Sequence, residues 1–266
     1  MRIGQTKRNL AGLFIAALLG QFAWAQNTGD IAKEIAPTGT LRAVINLGNP
    51  ILAKKDNTTG EPVGVSVDLA QALAKKFNLP LKLIPVESAA KSVEAVTGGD
   101  ADLGFFAIDP VRGKGITFTP PYVLIEGSYL VKKDSPLVNT SQVDQSQHRV
   151  VVGKGSAYDL FLTRELKAAQ LVRAPTSPMV VPLFLDGNYD VAAGVKQQLE
   201  SDAQGFEGLR LLPGRFMVIE QAMGQPNGVS KTANDTLAKF LMEMKSNGFV
   251  RDSLSRHHIE GASIAP

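Results

Sequence analysis

The side chains able to attack, shuttle a proton or hold an ion are few in this sequence of 266 residues. There is no cysteine, which excludes disulfides, thiolate metal sites and thiol catalysis. The three histidines are His148 and the adjacent pair His257 and His258. Adjacent side chains diverge on a helix or a strand, and no spaced acidic cluster accompanies them, so no metal site is expected. Gly153-Lys154-Gly155-Ser156 resembles a phosphate loop but lacks the full G-x4-GK[ST] spacing. Two isolated carboxylates, Glu126 and Glu220, have the chemistry of a general acid. That role needs a raised pKa and placement against a leaving group, and nothing around either glutamate marks it so. The chemistry expected is recognition rather than catalysis, with no cofactor.

Such groups must be positioned by folded elements, and the sequence alternates strand-like and helix-like segments. Leu41–Ile45 reads as a buried strand, and Asp68 as the cap of a helix using Leu69, Leu73 and Phe77 at helical spacing. Leu81–Val86 follows as a strand, Ala89–Thr97 as a helix and Asp102–Ala107 as a third strand. The second half repeats the pattern: strand Arg149–Val152, helix Tyr158–Ala169, strand Leu171–Arg173, helix Met179–Leu185 and strand Asp190–Ala193. Alternation of this kind implies parallel sheets covered by helices. Val93, Val96, Gly99 and Asp102 stand 88 residues before Val181, Phe184, Gly187 and Asp190. In both places an apolar helix ends at glycine and an aspartate opens a buried strand, which suggests two related α/β lobes. The strand-like runs Gly127–Val131 and Phe216–Met223 read as the outward and return crossings between them. Residues 26–38 are polar and read as a loose lead-in, and Lys231 to about Asn247 as the last helix.

The first 25 residues have a basic start at Arg2, Lys7 and Arg8, an apolar run Leu10–Leu19, and Ala23-Trp24-Ala25 before Gln26. A run of about ten apolar residues is half of what spans a bilayer, so the segment reads as a signal peptide cleaved after Ala25. The whole chain carries 28 basic and 25 acidic residues. Without the leader's three bases the balance is even, at 25 of each. The basicity therefore belongs to export and not to a nucleic-acid footprint.

Several segments in order resemble the periplasmic substrate-binding proteins of ABC importers, in the type II, family 3 group whose usual ligands are polar amino acids. They are Gly39-Thr40-Leu41-Arg42, Gly64-Val65-Ser66-Val67-Asp68-Leu69-Ala70, Asp102-Leu103 through Ile108-Asp109-Pro110-Val111-Arg112, Phe118-Thr119-Pro120-Pro121-Tyr122, Leu130 to Pro136, and Val151 to Ser156. The resemblance runs from Gly39 to about Arg256. It implies an α/β, two-lobed type II fold with two hinge strands: a signal peptide at 1–25, lobe 1 from 26–126 and 222–266, and lobe 2 from 127–221. It also implies a monomeric periplasmic receptor that binds an amino acid or related small carboxylate between its lobes. The partner it implies is the membrane permease of an ABC importer.

Carried over by position, Arg112 stands where the family grips a carboxylate, a task suited to a planar, permanently charged guanidinium. Phe105 and Ala107 fall where relatives add backbone donors and a small hydroxyl, so the hydroxyl is missing. Ser156 and Ala157 fall at a helix N-terminus, whose free N–H groups favour an anion, and Ser156 reads equally as an ordinary N-cap. Asn49 and Val65 stand where many relatives have an aromatic wall. Asn46 replaces a common aspartate, and Val195 the acid that holds an α-ammonium. A buried ammonium without a carboxylate is costly. Either another acid substitutes, with Glu126 and Glu220 as the candidates, or the ligand has no α-ammonium. The alternatives are a receptor for a non-amino organic acid, a sensory ligand-binding module, or a cyclic-carboxylate dehydratase on the same fold.

Overall fold

The computed structural model describes residues 29–266, so the leader and its cleavage site lie outside the described residues. A helix over residues 29–35 (α1) occupies the lead-in read as loose, and it brings Ile35 and Ala36 into the core. The chain continues through β1 (Leu41–Asn46), the short hairpin β2 (Lys54–Lys55) and β3 (Pro62–Val63), α2 (Val65–Lys76), β4 (Leu81–Val86), α3 (Ala89–Thr97) and β5 (Gly104–Ala107). Next come β6 (Ile116–Phe118), the long β7 (Val123–Lys132), β8 (Arg149–Gly153), α4 (Ala157–Glu165), β9 (Gln170–Ala174), α5 (Val180–Asp186) and β10 (Val191–Val195). Then follow α6 (Lys196–Gln204), β11 (Leu209–Leu211), the long β12 (Met217–Pro226), α7 (Lys231–Ser246), α8 (Phe249–Arg256) and β13 (Ser263–Ile264).

Two sheets result, joined by the two long strands. In the first, β4 and β1 pair in parallel, β1 reaches the start of β5 through the Val44 N–H to Leu103 carbonyl bond, and β5 pairs antiparallel with Gln221–Gly224 of β12. In the second, β9, β8 and β10 run parallel, and β10 pairs antiparallel with Gly127–Leu130 of β7. Strand β11 lies against β7 as well, at Leu130–Lys132. Between the sheets, Val123–Gly127 of β7 pairs with Met217–Gln221 of β12. This is the two-lobed type II arrangement, with β7 and β12 as the connecting ribbon.

The 88-residue echo has a physical basis. Asp102 Oδ2 accepts from the Arg42 backbone N–H at 2.9 Å and from Arg42 Nε, while Arg42 Nη1 donates to the Gly99 carbonyl. Asp190 repeats this with the Arg149 N–H at 2.8 Å and Nε at 3.3 Å, and Arg149 Nη2 donates to the Asn188 carbonyl. In each lobe the aspartate before the third strand fastens the start of the first.

One helix start differs from the sequence reading. Helix α2 begins at Val65, and Asp68 lies inside its first turn instead of capping it. The Asp68 carboxylate is engaged elsewhere, accepting from Ser253, Arg256 and the His257 ring at the end of the chain.

Candidate functional site

The ends of β1, β5, β8 and β10 face one another across the ribbon and enclose a cavity with about 750 Å³ of space, its mouth included. Arg112 lies in a helical turn after β5 and is 5% exposed. Its Nη1 donates to the Ala107 carbonyl at 3.1 Å, and its Nη2 crosses to the Gly155 carbonyl of the other lobe at 2.9 Å. Its Nε is buried without a partner, and among the described residues no carboxylate forms an ion pair with it. Burial brings the Arg112 pKa down to about 10, partly opposed by the charge of Asp109. A buried guanidinium held only by two carbonyls, with its Nε unpartnered, is built to receive an anion.

The facing loop is built to meet it. Gly155 has a φ of +70°, and a Cβ there would come within 2.9 Å of Ala90 Cβ on α3, so the approach of the lobes requires glycine. Asp159 Oδ2 accepts from the Gly155 N–H at 2.8 Å, and Ser156 Oγ accepts from the Asp159 N–H at 3.0 Å. Ser156 is thus the N-cap of α4 and also lines the cavity, beside Ala157 at the first position of the helix. A second bridge between the lobes joins Arg164 on α4 to Asp109, at 2.9 Å.

Of the residues singled out from the sequence, Arg112, Ala107, Phe105, Ser156, Ala157, Asn46 and Asn49 line this cavity. Asn46 Oδ1 accepts from the Gly48 N–H, while Asn49 Oδ1 is buried without a partner. Val65 does not line it: the side chain is fully buried in the lobe 1 core, and the next residue, Ser66, faces the cavity instead. Glu126 does not line it either. Its carboxylate is held by Arg215 at 2.6 Å and Lys196 at 3.7 Å, and the Arg215 hydrogen bond, with help from Lys196, keeps its pKa below the usual carboxylate range. Glu220 is exposed, because strand alternation turns its neighbours Ile219 and Gln221 to the cavity. Val195 does line the cavity.

The sequence reading missed Gln198 and Asp202, which reach the cavity from α6. Asp202 Oδ1 accepts from Gln198 Nε2, and Oδ2 is buried without a partner. Burial pushes the Asp202 pKa up, and the Gln198 hydrogen bond only partly offsets it. The signal lay in the spacing: Val195, Gln198, Leu199 and Asp202 fall on one face of a helix continuing from β10.

The model of the bacterial extracellular solute-binding proteins, family 3, matches residues 41–258. The chain belongs to this family. Solved structures agree on the fold. The putative binding component of an ABC transporter from Wolinella succinogenes, complexed with lysine, is 23% identical with a TM-score of 0.70, over 82% of this chain and 95% of that one. The solute receptor for L-cysteine of Neisseria gonorrhoeae is 21% identical with a TM-score of 0.73, over 86% and 93%. An ancestral amino-acid-binding protein, a precursor of cyclohexadienyl dehydratase, is 21% identical with a TM-score of 0.70, over 84% and 97%. Among the described residues no helix is long and apolar enough to cross a membrane, and no group of three His, Asp or Glu side chains could hold a metal ion.

Proposed function

We propose that this family 3 protein is an exported, monomeric receptor that binds an amino acid or related small carboxylate between its lobes and presents it to an ABC import permease. In this reading the leader is removed after Ala25 and the protein works in the periplasm. Residues 26–126 with 222–266 form the lobe that first docks the ligand, and 127–221 form the lobe that closes over it. The observation that carries the reading is Arg112: a buried guanidinium in the interlobe cavity, with Nε unpartnered and no carboxylate of its own. The ligand carboxylate takes the free side of the guanidinium, and Ser156 and the first N–H groups of α4 complete its shell. Closure then follows from differential affinity for the closed form. Relatives solved with lysine or named as receptors for L-cysteine support the amino-acid class. Neither of the two glutamates weighed as general acids lines the cavity.

The test is calorimetric titration of refolded, ligand-free protein with a panel of amino acids and their amine-free counterparts. Arg112→Ala is expected to weaken any hit by about a hundredfold or more, the worth of two charge-assisted hydrogen bonds. Near-normal affinity in that variant would remove the anchor and with it the reading.

A further inference from the structure

We infer that Asp202 is the cation-binding residue of this site, and that the ligand is elongated, with a carboxylate at one end and an ammonium or guanidinium at the other. The inference rests on the proposed binding of a carboxylate at Arg112 and names the other end of that ligand. Its first support is an orphan. Asp202 lines the same cavity as Arg112, its Oδ2 is buried without a hydrogen-bond partner, and among the described residues it makes no ion pair. Its one polar contact is Gln198 from the preceding turn, which fixes the direction of the carboxylate without neutralising it. A charge taken from water in this way is unfavourable until a counter-ion arrives. The raised pKa of Asp202 agrees with that picture.

The second support is depth. Arg112 meets lobe 2 at Gly155, just past the end of β8 (Arg149–Gly153). Parallel to β8, β10 ends at Val195, level with Gly127 of β7, whereas β11 starts at Leu209, level with Lys132. Helix α6 therefore runs away from the cleft as it joins them. From Val195 to Asp202 is seven residues, about 10 Å along a helix, and both fall on one face. Side chains lean back toward the helix N-terminus, so the Asp202 carboxylate lies about one turn beyond Val195, further into lobe 2. An α-ammonium, two bonds from its carboxylate carbon, stays beside Arg112. A cation at the end of a side chain reaches Asp202, its apolar stem covered by Val195, Leu199 and Val180.

The experiment uses two nearly isosteric pairs, lysine with norleucine and arginine with citrulline, titrated into ligand-free wild type, Asp202→Asn and Arg112→Ala. The wild type is expected to bind the cationic member of at least one pair about tenfold or more tightly than its neutral partner. Asp202→Asn should erase that preference while its unliganded melting temperature stays equal or rises, because an unpaired buried charge has been removed. Equal binding of charged and neutral members, lost in Arg112→Ala, overturns the inference and leaves the carboxylate receptor standing. A cationic preference that survives Asp202→Asn overturns it too, as does a lowered melting temperature in the unliganded variant, the mark of a structural carboxylate. No binding of any of the four overturns the inference, and the carboxylate receptor then stands or falls on the wider panel and Arg112→Ala.

Discussion

Asp202 and Arg112 give the site opposite pH responses. Burial raises the folded-state pKa of Asp202, so the unliganded fold is favoured below the ordinary carboxylate pKa of about 4. That contribution is lost as pH rises through the folded value. A cationic ligand reverses the trend, since it binds the ionised form. The lysine-induced rise in melting temperature should therefore grow with pH over this range in the wild type and stay flat in Asp202→Asn. At the alkaline end, the Arg112 pKa, brought down to about 10 by burial, limits the grip on the carboxylate, and ligand stabilisation should fade as pH passes that value. Much of the Arg112 side of the cavity was legible in the sequence, because it lies in motifs that keep their order along the chain. Asp202 was not, because its role exists only once α6 is seen to run back along β10 and β7. Glu126 misled for a related reason: its sequence neighbours do not reveal Arg215, which comes beside it only when β7 and β12 pair.

At the scale of elements, local signals sufficed wherever a segment had an apolar face or a clear start. Helix α3 and strand β4 have the bounds read from the sequence, and Ser88 caps α3 by accepting from the Lys91 N–H. Helix α6 escaped because Leu199 is its one buried residue, leaving no apolar stripe to read. Asp68 is a good capping residue by type, but its partners are 185 to 189 positions away in the sequence, on α8 and the residue after it, which pack against α2. The loop between β8 and α4 carries the clearest prediction at this scale. Gly155→Ala combines an unfavourable left-handed backbone, worth about 1 kcal/mol, with a clash against Ala90 on α3. The variant should fold, yet bind ligand about tenfold more weakly. Adding Ala90→Gly should recover part of the loss, which titration of the single and double variants would measure.

At the scale of the molecule, the described residues form few polar ties between the lobes other than the ribbon, and one of them is open to test. Asp109 is 5% exposed and pairs with Arg164 across the cleft. Arg164→Ala leaves that carboxylate facing the other lobe without its cation. The closed form should become less populated, which would appear as a larger radius of gyration in solution scattering at saturating ligand and about tenfold weaker affinity. The ribbon has a consequence for the order in which the molecule is assembled. Strand β12 completes the first sheet against β5, yet it follows in sequence every other strand of the second sheet. The first lobe therefore lacks this strand, and the core helices α7 and α8 that follow it, so the β5 edge stays exposed until the rest of the chain has emerged. The second lobe, apart from its contact with β12, is contiguous and free to form earlier, so a stalled or truncated chain would leave a finished second lobe beside an unsealed first one.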